Sequence, residues 1–477
     1  MDIQHSRWRV WGCLALFTFG ASAVAAGRFA GGDGTAGSPY QIASPEQWVV
    51  LGTDPNLWDK HFVLIRDLDM VAVEPNAVQP IGEVGPAPFV GVLDGRGHTI
   101  SHLRIVRPDW SGIGLFGEIG QEPIDDEEGC EGHVRNLHLR DVRIQGGSVV
   151  GGLAGGLSNG TIRNCSVTGT VMGSGARSDG VGGLVGCAEG AIRDCQVAVQ
   201  VCGILNVGGL VGRASGAIDS CTATVEVHGT HVVGGLAGST SFDLGLSRCS
   251  SSGRVYGRQQ VGGLAGIWDG SIFTDGVYRF SGDPEERELT RVVRCRSDCS
   301  VEGIDEVGGL VGLAYGMGQI EDCYALGPVT GETAVGGLVG RRMGGCVVRC
   351  FAASAVRGRE DAGGLIGKSD PVKDPNSLEA YPPCQRIVER MPGADSDGGP
   401  RWRLVYRPGV LACFWDREAS GVDRAMGTGE DGDGVTALTT AQGSRAQVFR
   451  DQGWDFETVW RMRPGQAHPR LWWEQAP

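Results

Sequence analysis

The hexapeptide VGGLVG stands at 181–186 and returns letter for letter at 207–212, 307–312 and 335–340, with near-copies at 150–155, 233–238, 261–266 and 362–367. Its glycine pairs are separated by 31, 26, 26, 28, 46, 28 and 27 residues. No other feature limits the fold so tightly. A unit of this length cannot bury an apolar face by itself, so successive units must stack into one continuous core.

Each unit carries two further short segments. A second apolar stretch follows each hexapeptide, as in TIRNCSV (161–167), AIRDCQV (191–197), AIDSCTA (217–223), VVRCRSD (292–298), QIEDCYA (319–325) and CVVRCFA (346–352). A third closes the unit, as in GTVMG (169–173) and VEVHG (225–229). Three β-type segments separated by Gly, Asn or Ser, without a 3.6-residue period, predict an all-β, three-sided parallel β-solenoid. Composition agrees: 81 of 477 residues are Gly, against a usual ~7 per cent. Yet 41% are hydrophobic and only 7% aromatic, which suits a narrow core of small side chains. There is no Gly-X-Y period, which excludes collagen.

Taken as one strand, the hexapeptide would turn Gly182, Leu184 and Gly186 to one side and Val181, Gly183 and Val185 to the other. Leu is constant in all eight copies, so Leu184, Leu210, Leu310 and Leu338 are expected inside. The pairs Gly182/Gly183, Gly208/Gly209, Gly308/Gly309 and Gly336/Gly337 would permit close backbone approach at a coil corner. A phosphate-cradling loop needs a following helix and usually a Lys-Ser/Thr pair, and neither accompanies the repeats.

Seven of the 15 cysteines occupy one place in successive units: Cys165, Cys195, Cys221, Cys249, Cys295, Cys323 and Cys350. Stacked coils would put them in a column ~4.8 Å apart with parallel Cβ vectors. A disulfide needs convergent vectors and a shorter Cβ–Cβ separation, so a ladder of reduced thiols is expected. Cys384 with Cys413, or Cys187 with Cys202, remain candidate disulfides. Cys295/Cys299 and Cys346/Cys350 are spaced by four, without a CxxC or an accompanying His, so no zinc site is expected.

Residues 1–26 have the form of a signal peptide, with Arg7 and Arg9 before an apolar run that ends at Ala23-Val24-Ala25. The expected organisation continues with an N-terminal cap and first rung (27–110), repeats (111–367, with an insert at about 267–290), a linker or long loop (368–410) and a C-terminal cap (411–477). Ser44 and Pro45 mark a helix start in the N-terminal cap. Six of the twelve Trp fall in 402–477, which reads as an aromatic cap over an open sheet edge, with carbohydrate stacking as the alternative.

The VGGLVG…IxxC units resemble the GLUG-repeat family of bacterial exported proteins. GGDGTAGSPYQI, WDKHFVLIRDLDM and FVGVLDGRGHTI resemble the lead-in of such chains, and CFWD…WDF…PRLWWE their end. The resemblance implies a right-handed parallel β-helix that is secreted or held at the cell surface. Some such proteins are IgA-specific metallopeptidases, but none of the nine His here is followed by Glu, so the HExxH zinc motif is absent and that activity does not carry over.

Catalytic signals are sparse. Asp94 and His98 of GVLDGRGHTI could act on sugar, but a Gly-flanked Asp in a turn is usually structural. Glycosidases need two facing carboxylates, and Asp179, Asp219, Asp305 and Asp361 share no evident column. IDDEE (124–128) and EDGDG (430–434) read as solvated acidic loops, with calcium as the alternative. His228 and His231 form an HxxH without a third ligand. The net charge of −14 argues against nucleic acid as a partner, and no transmembrane segment follows the signal peptide. The expectation is a structural, adhesive or binding protein without cofactor, whose partners are surface glycans or proteins of a host or neighbouring cell. A carbohydrate-active β-helix enzyme is the alternative.

Overall fold

The computed structural model describes residues 28–75, 77–82, 87–121, 129–176, 178–241, 245–270, 277–280, 291–370, 384, 386–394, 400–406, 409–428 and 434–474. For 277–280, 317, 386–394 and 400–406 it describes the backbone alone. The signal-peptide segment, the acidic run IDDEE, most of EDGDG and most of the insert therefore lie outside the described residues.

The eight hexapeptides are the eight rungs of one sheet face. Val150, Val181, Val207, Val233, Val261, Val307, Val335 and Ala362 stand in a single in-register column of parallel pairs. The hexapeptide is not a single strand, however. Asp179–Gly182 belongs to this first face and Val185–Ala188 to a second, so Gly183 and Leu184 form the corner between them. The two-sided alternation expected from sequence fails for that reason, and Val181, Leu184 and Val185 are all fully buried. Leu184, Leu210, Leu310 and Leu338 do point inward, each with 0% exposure. Their amides join coil to coil, as in Leu184 N–H to Leu210 O at 2.8 Å and Leu210 N–H to Leu236 O at 2.7 Å.

The glycine pairs do not sit together at the corner, as the sequence suggested; each pair is divided. The first members, Gly182, Gly208, Gly308 and Gly336, are the last residues of first-face strands. Only the second members, Gly183, Gly209, Gly309 and Gly337, lie in the corner beside the Leu. The reason is that the strand pairing ends one residue before the chain turns.

Both members act by close approach, in different directions. A Cβ on Gly182 would stand 2.0 Å from Val185 O of its own coil, and Gly208, Gly308 and Gly336 face Val211, Val311 and Val339 in the same way. At the corner, a Cβ on Gly183 or Gly209 would stand 2.1 Å from Gly209 O or Gly235 O of the next coil. Likewise, one on Gly309 would stand 2.1 Å from Gly337 O, and one on Gly337 2.1 Å from Gly364 O. Any side chain at these corner positions would push adjacent coils apart.

The septet containing the ladder cysteine is divided in the same way. Gly160–Arg163 ends the second face, and Ser166–Gly173 begins the third. Asn164, the turning residue, is left-handed with φ 51°, and Asp194, Ser220, Arg248, Arg294, Asp322 and Arg349 hold the same place and conformation. A second left-handed column precedes the hexapeptides: Val149, Asn206, Val232, Gln260, Glu306, Ala334 and Asp361.

The solenoid starts earlier than FVGVLDGRGHTISHLRIV (89–106), the stretch that reads as its first rung. Tyr40–Ile42 pairs with His61–Leu64, which pairs with Val92–Asp94, then Gly132–Arg135 and Gly160–Arg163. The helix Pro45–Thr53 is capped by Ser44, whose side chain accepts from Gln47 N–H, and buries Trp48 and Leu51.

The stretch read as a linker carries a hairpin. Arg386–Ala394 and Pro400–Tyr406 pair antiparallel, and Pro400–Tyr406 also pairs with Val277–Phe280 from the insert. Two non-repeating segments far apart in sequence thus share one small sheet.

The C-terminal aromatics pack beside the last coils. Tyr324, Phe351 and Phe414 each follow a ladder cysteine, at a position held by Ser166, Gln196, Thr222, Ser250 and Arg296 in earlier coils. These three rings join Leu438, Phe449, Trp454, Trp460 and Leu471 in a second apolar cluster. Indole N–H groups of Trp454 and Trp473 donate to the corner carbonyls of Ala412 and Arg294, both at 2.9 Å.

Candidate functional site

The cysteine column lines a buried corner of the solenoid. Each thiol meets the carbonyl two residues behind it across the left-handed turn: Cys165 Sγ to Arg163 O at 3.3 Å, Cys195 to Arg193 O at 3.2 Å, Cys221 to Asp219 O at 3.3 Å and Cys249 to Ser247 O at 3.2 Å. Cys295, Cys323 and Cys350 repeat this with Val293, Glu321 and Val348. A left-handed residue turns that inward carbonyl away from the sheet ladder, and a small apolar side chain with a weak donor suits the gap. Burial pushes the thiols of Cys165, Cys295 and Cys323 well above the usual range, so they stay protonated.

Cys413 is an eighth member of the ladder, bonded to Leu411 O at 3.4 Å and accepting from Cys350 N–H at 3.4 Å. The candidate pairing with Cys384 is not formed: both thiols are free, and Cys384 lies against Cys346. Cys187 and Cys202 are also unlinked, and the Cys187 thiol faces the Arg213 guanidinium.

The carboxylates raised from sequence are held in turn-bracing contacts. Asp94 accepts from Arg96 N–H at 2.9 Å, Asn136 Nδ2 at 3.0 Å and Arg135 Nε at 3.0 Å. Burial works against its charge, but these donors hold the carboxyl below its usual range. His98 bonds Asp67 at 3.1 Å, away from Asp94's partners. Asp219 pairs with Arg248, Asp305 accepts from Thr333 at 2.6 Å, and Asp361 faces Lys368 at 3.9 Å. Asp179 and Asp305 do share a column, contrary to expectation, but Leu205, His231 and Gln259 separate them. Four rungs are roughly 19 Å, beyond the ~5–9.5 Å that glycosidase carboxyls require. His228 stacks on Tyr256 at 4.7 Å and contacts Glu226, with no metal-binding group of three among the described residues.

Sequence reasoning missed Glu118. It is buried, accepts from Ser158 Oγ at 2.6 Å, and burial raises its carboxyl pKa. Only its place in FGEI, amid strand residues, hinted at burial.

A groove of about 710 Å³ lies where the second face meets the cysteine corner. Arg163, Arg193, Arg248 and Arg291 line it with Asp194 and Asp219, four cations against two anions. Arg163 Nε donates to Asp194 at 3.1 Å, and Arg248 pairs with Asp219 and donates to Ser220 Oγ at 3.1 Å. Arg193 and Arg291 are exposed and form no ion pair among the described residues. The sheet fixes the positions: Arg163, Arg193 and Asp219 are consecutive rungs of one column. The C-terminal indoles are less available. Trp415, Trp454 and Trp460 are core, while Trp472 is 49% exposed.

These features define a parallel β-helix with a charged groove along one flank. The model of the GLUG motif matches residues 146–172, 203–227 and 306–330. The chain carries the GLUG motif at these three places. Halomucin of Haloquadratum walsbyi is 35% identical over 175 residues, 35% of this chain and 2% of halomucin. A protein of Evansella cellulosilytica, described as a Gly-rich membrane protein, is 34% identical over 146 residues, 29% of this chain and 15% of its own length. The chain thus spans a small part of both relatives. A solved structure from Bacteroides ovatus, described as an immunoglobulin A1 protease, matches over 94% of this chain and 96% of its own, at 15% identity and a TM-score of 0.30. No helix among the described residues is long and apolar enough to cross a membrane.

Proposed function

We propose that this protein is exported and surface-associated, and that it acts by adhesion, its groove taking acidic glycans. The names of halomucin and of the Gly-rich membrane protein support a surface setting. The observation that carries the adhesive reading is the pair Arg193 and Arg291, exposed cations with no ion pair among the described residues, on a sheet flank of a chain whose net charge is −14. Arginine's planar fork suits carboxylate and sulfate groups, and rungs ~4.8 Å apart offer a regular track to an extended polymer. The carbohydrate-active alternative needs facing carboxylates, and the candidates are committed to turn contacts.

Calorimetric titration of polygalacturonate into the full chain tests the groove. Replacing Arg193 and Arg291 by Ala should weaken binding about tenfold or more, ~1.4 kcal/mol, and added salt should weaken the parent further. Equal binding by parent and double variant would place adhesion elsewhere. N-terminal sequencing of protein recovered outside the cell should begin close to residue 27; an intact Met1 there would refute the signal peptide.

A further inference from the structure

Fourteen described cysteines divide by environment, and one pair stands apart from the ladder. Cys346 lies in Val339–Val348, four residues before its ladder neighbour Cys350, and is 1% exposed. Cys384 comes from the separate stretch after the last hexapeptide, adopts a left-handed turn with φ 61°, and is half-buried. The two thiols are within hydrogen-bonding reach and form a small apolar cluster with Val348.

Arg342 sits beside them. Its guanidinium donates to Gly345 O at 3.1 Å and to Ser369 Oγ at 2.8 Å, while its Nε is buried without a hydrogen-bond partner. The neighbouring carboxylate Asp370 is taken by Arg341 at 2.6 Å. The contact with Cys346 and burial push the Cys384 thiol up, with the Arg342 charge opposing them, so attack on a disulfide proceeds through the small thiolate fraction.

We propose that Cys346 and Cys384 are an oxidisable pair that closes to a disulfide, fastening the hairpin-bearing segment to the side of the solenoid. The ladder thiols touch one another too, but they cannot follow. Their Cβ vectors are parallel, their backbones are locked by sheet hydrogen bonds, and no oxidant reaches them. Cys384 approaches from outside the sheet ladder, so its Cβ can converge on Cys346, and its exposure admits an oxidant. The reaction consumes a low-molecular-weight disulfide such as oxidised glutathione. A Cys384 thiolate attacks it, one glutathione thiolate leaves, and Cys346 sulfur displaces the second. Both protein protons are released, to the two leaving thiolates or to water.

Purified full-length protein is equilibrated with oxidised glutathione, unfolded without reductant and labelled with a maleimide. Mass spectrometry should count two fewer labels than on a reduced control carrying all 15 cysteines. Digestion should yield one linked peptide joining Cys346 to Cys384. The Cys384→Ser variant should label at every remaining cysteine after the same treatment, whereas Cys346→Ser should retain one glutathione at Cys384 and label at all the others. Full labelling of the parent, a stable glutathione adduct at Cys384 of the parent, or a link involving any ladder cysteine would overturn the proposal. Because the assay uses purified protein and a defined oxidant, its outcome is independent of whether the chain is exported or binds glycans.

Discussion

At the residue scale, the corners explain which side chains the chain can tolerate. The left-handed place before each hexapeptide is held by Asn206, Asp361 and Gly180, but also by Val149 at φ 52° and Val232 at φ 57°. A β-branched side chain there is strained. Val149→Asn should stabilise the protein by about 1 kcal/mol, read as a higher Tm; a lower Tm would mean that the valine's packing outweighs its backbone strain. Glu118 gives a second residue-scale prediction. Its folded-state pKa is raised by burial, so its contribution to stability is present below the unfolded carboxyl pKa and is lost as pH rises through the folded value. Glu118→Gln should therefore raise Tm at pH 7 and change it little at pH 4. Much at this scale was legible in sequence: constant Leu pointed inward, and seven periodic Cys pointed to a ladder. The eighth, Cys413, was hidden because the intervening segment broke the period. The left-handed columns were hidden because Val, Gln, Ala, Arg and Glu carry no turn signature.

At the element scale, sequence showed three segments per unit but placed their boundaries inside the turns. Both VGGLVG and the Cys septet straddle corners, since a residue such as Asn164 or Leu184 changes face within an unbroken apolar run. The division of each glycine pair, with Gly308 in a strand and Gly309 in the corner, was hidden for the same reason. The aromatic cap illustrates the limit again. Its Trp content was visible, whereas its docking surface depends on Tyr324, Phe351 and Phe414 replacing the polar residues that follow earlier ladder cysteines. His468 packs against Tyr324 and Phe351, and burial pulls its pKa down to about 4. A depressed imidazole contributes stability above its unfolded pKa of ~6.5, and that contribution is lost as pH falls towards 4. Tryptophan fluorescence from the cap should shift through that window, and His468→Gln should flatten the shift. An identical shift in the variant would assign the transition to another group.

At the scale of the whole molecule, the repeated and the varying positions are divided. Repeated positions are spent on the interior and the corners: Val181, Leu184 and Val185 are buried, and Gly182 and Gly183 are wedged against backbone carbonyls. What varies from coil to coil is outside, and the groove arises where Arg163, Arg193, Arg248 and Arg291 happen to fall on one flank. That convergence could not be read from sequence, because it depends on which coil stacks on which and on the register between them. The joining of 277–280 to 400–406 was likewise invisible, as more than a hundred residues separate the two strands.

The central claim, that each hexapeptide begins one interchangeable coil, is tested most directly by excising one. Deleting residues 207–232 joins Asn206 to Val233, so the hybrid rung keeps the register in which Val181 meets its next neighbour. Far-UV circular dichroism of the shortened protein should retain a β-sheet spectrum with cooperative thermal unfolding. An unfolded spectrum, or loss of cooperativity, would show that the coils are not equivalent building units and would contradict the account.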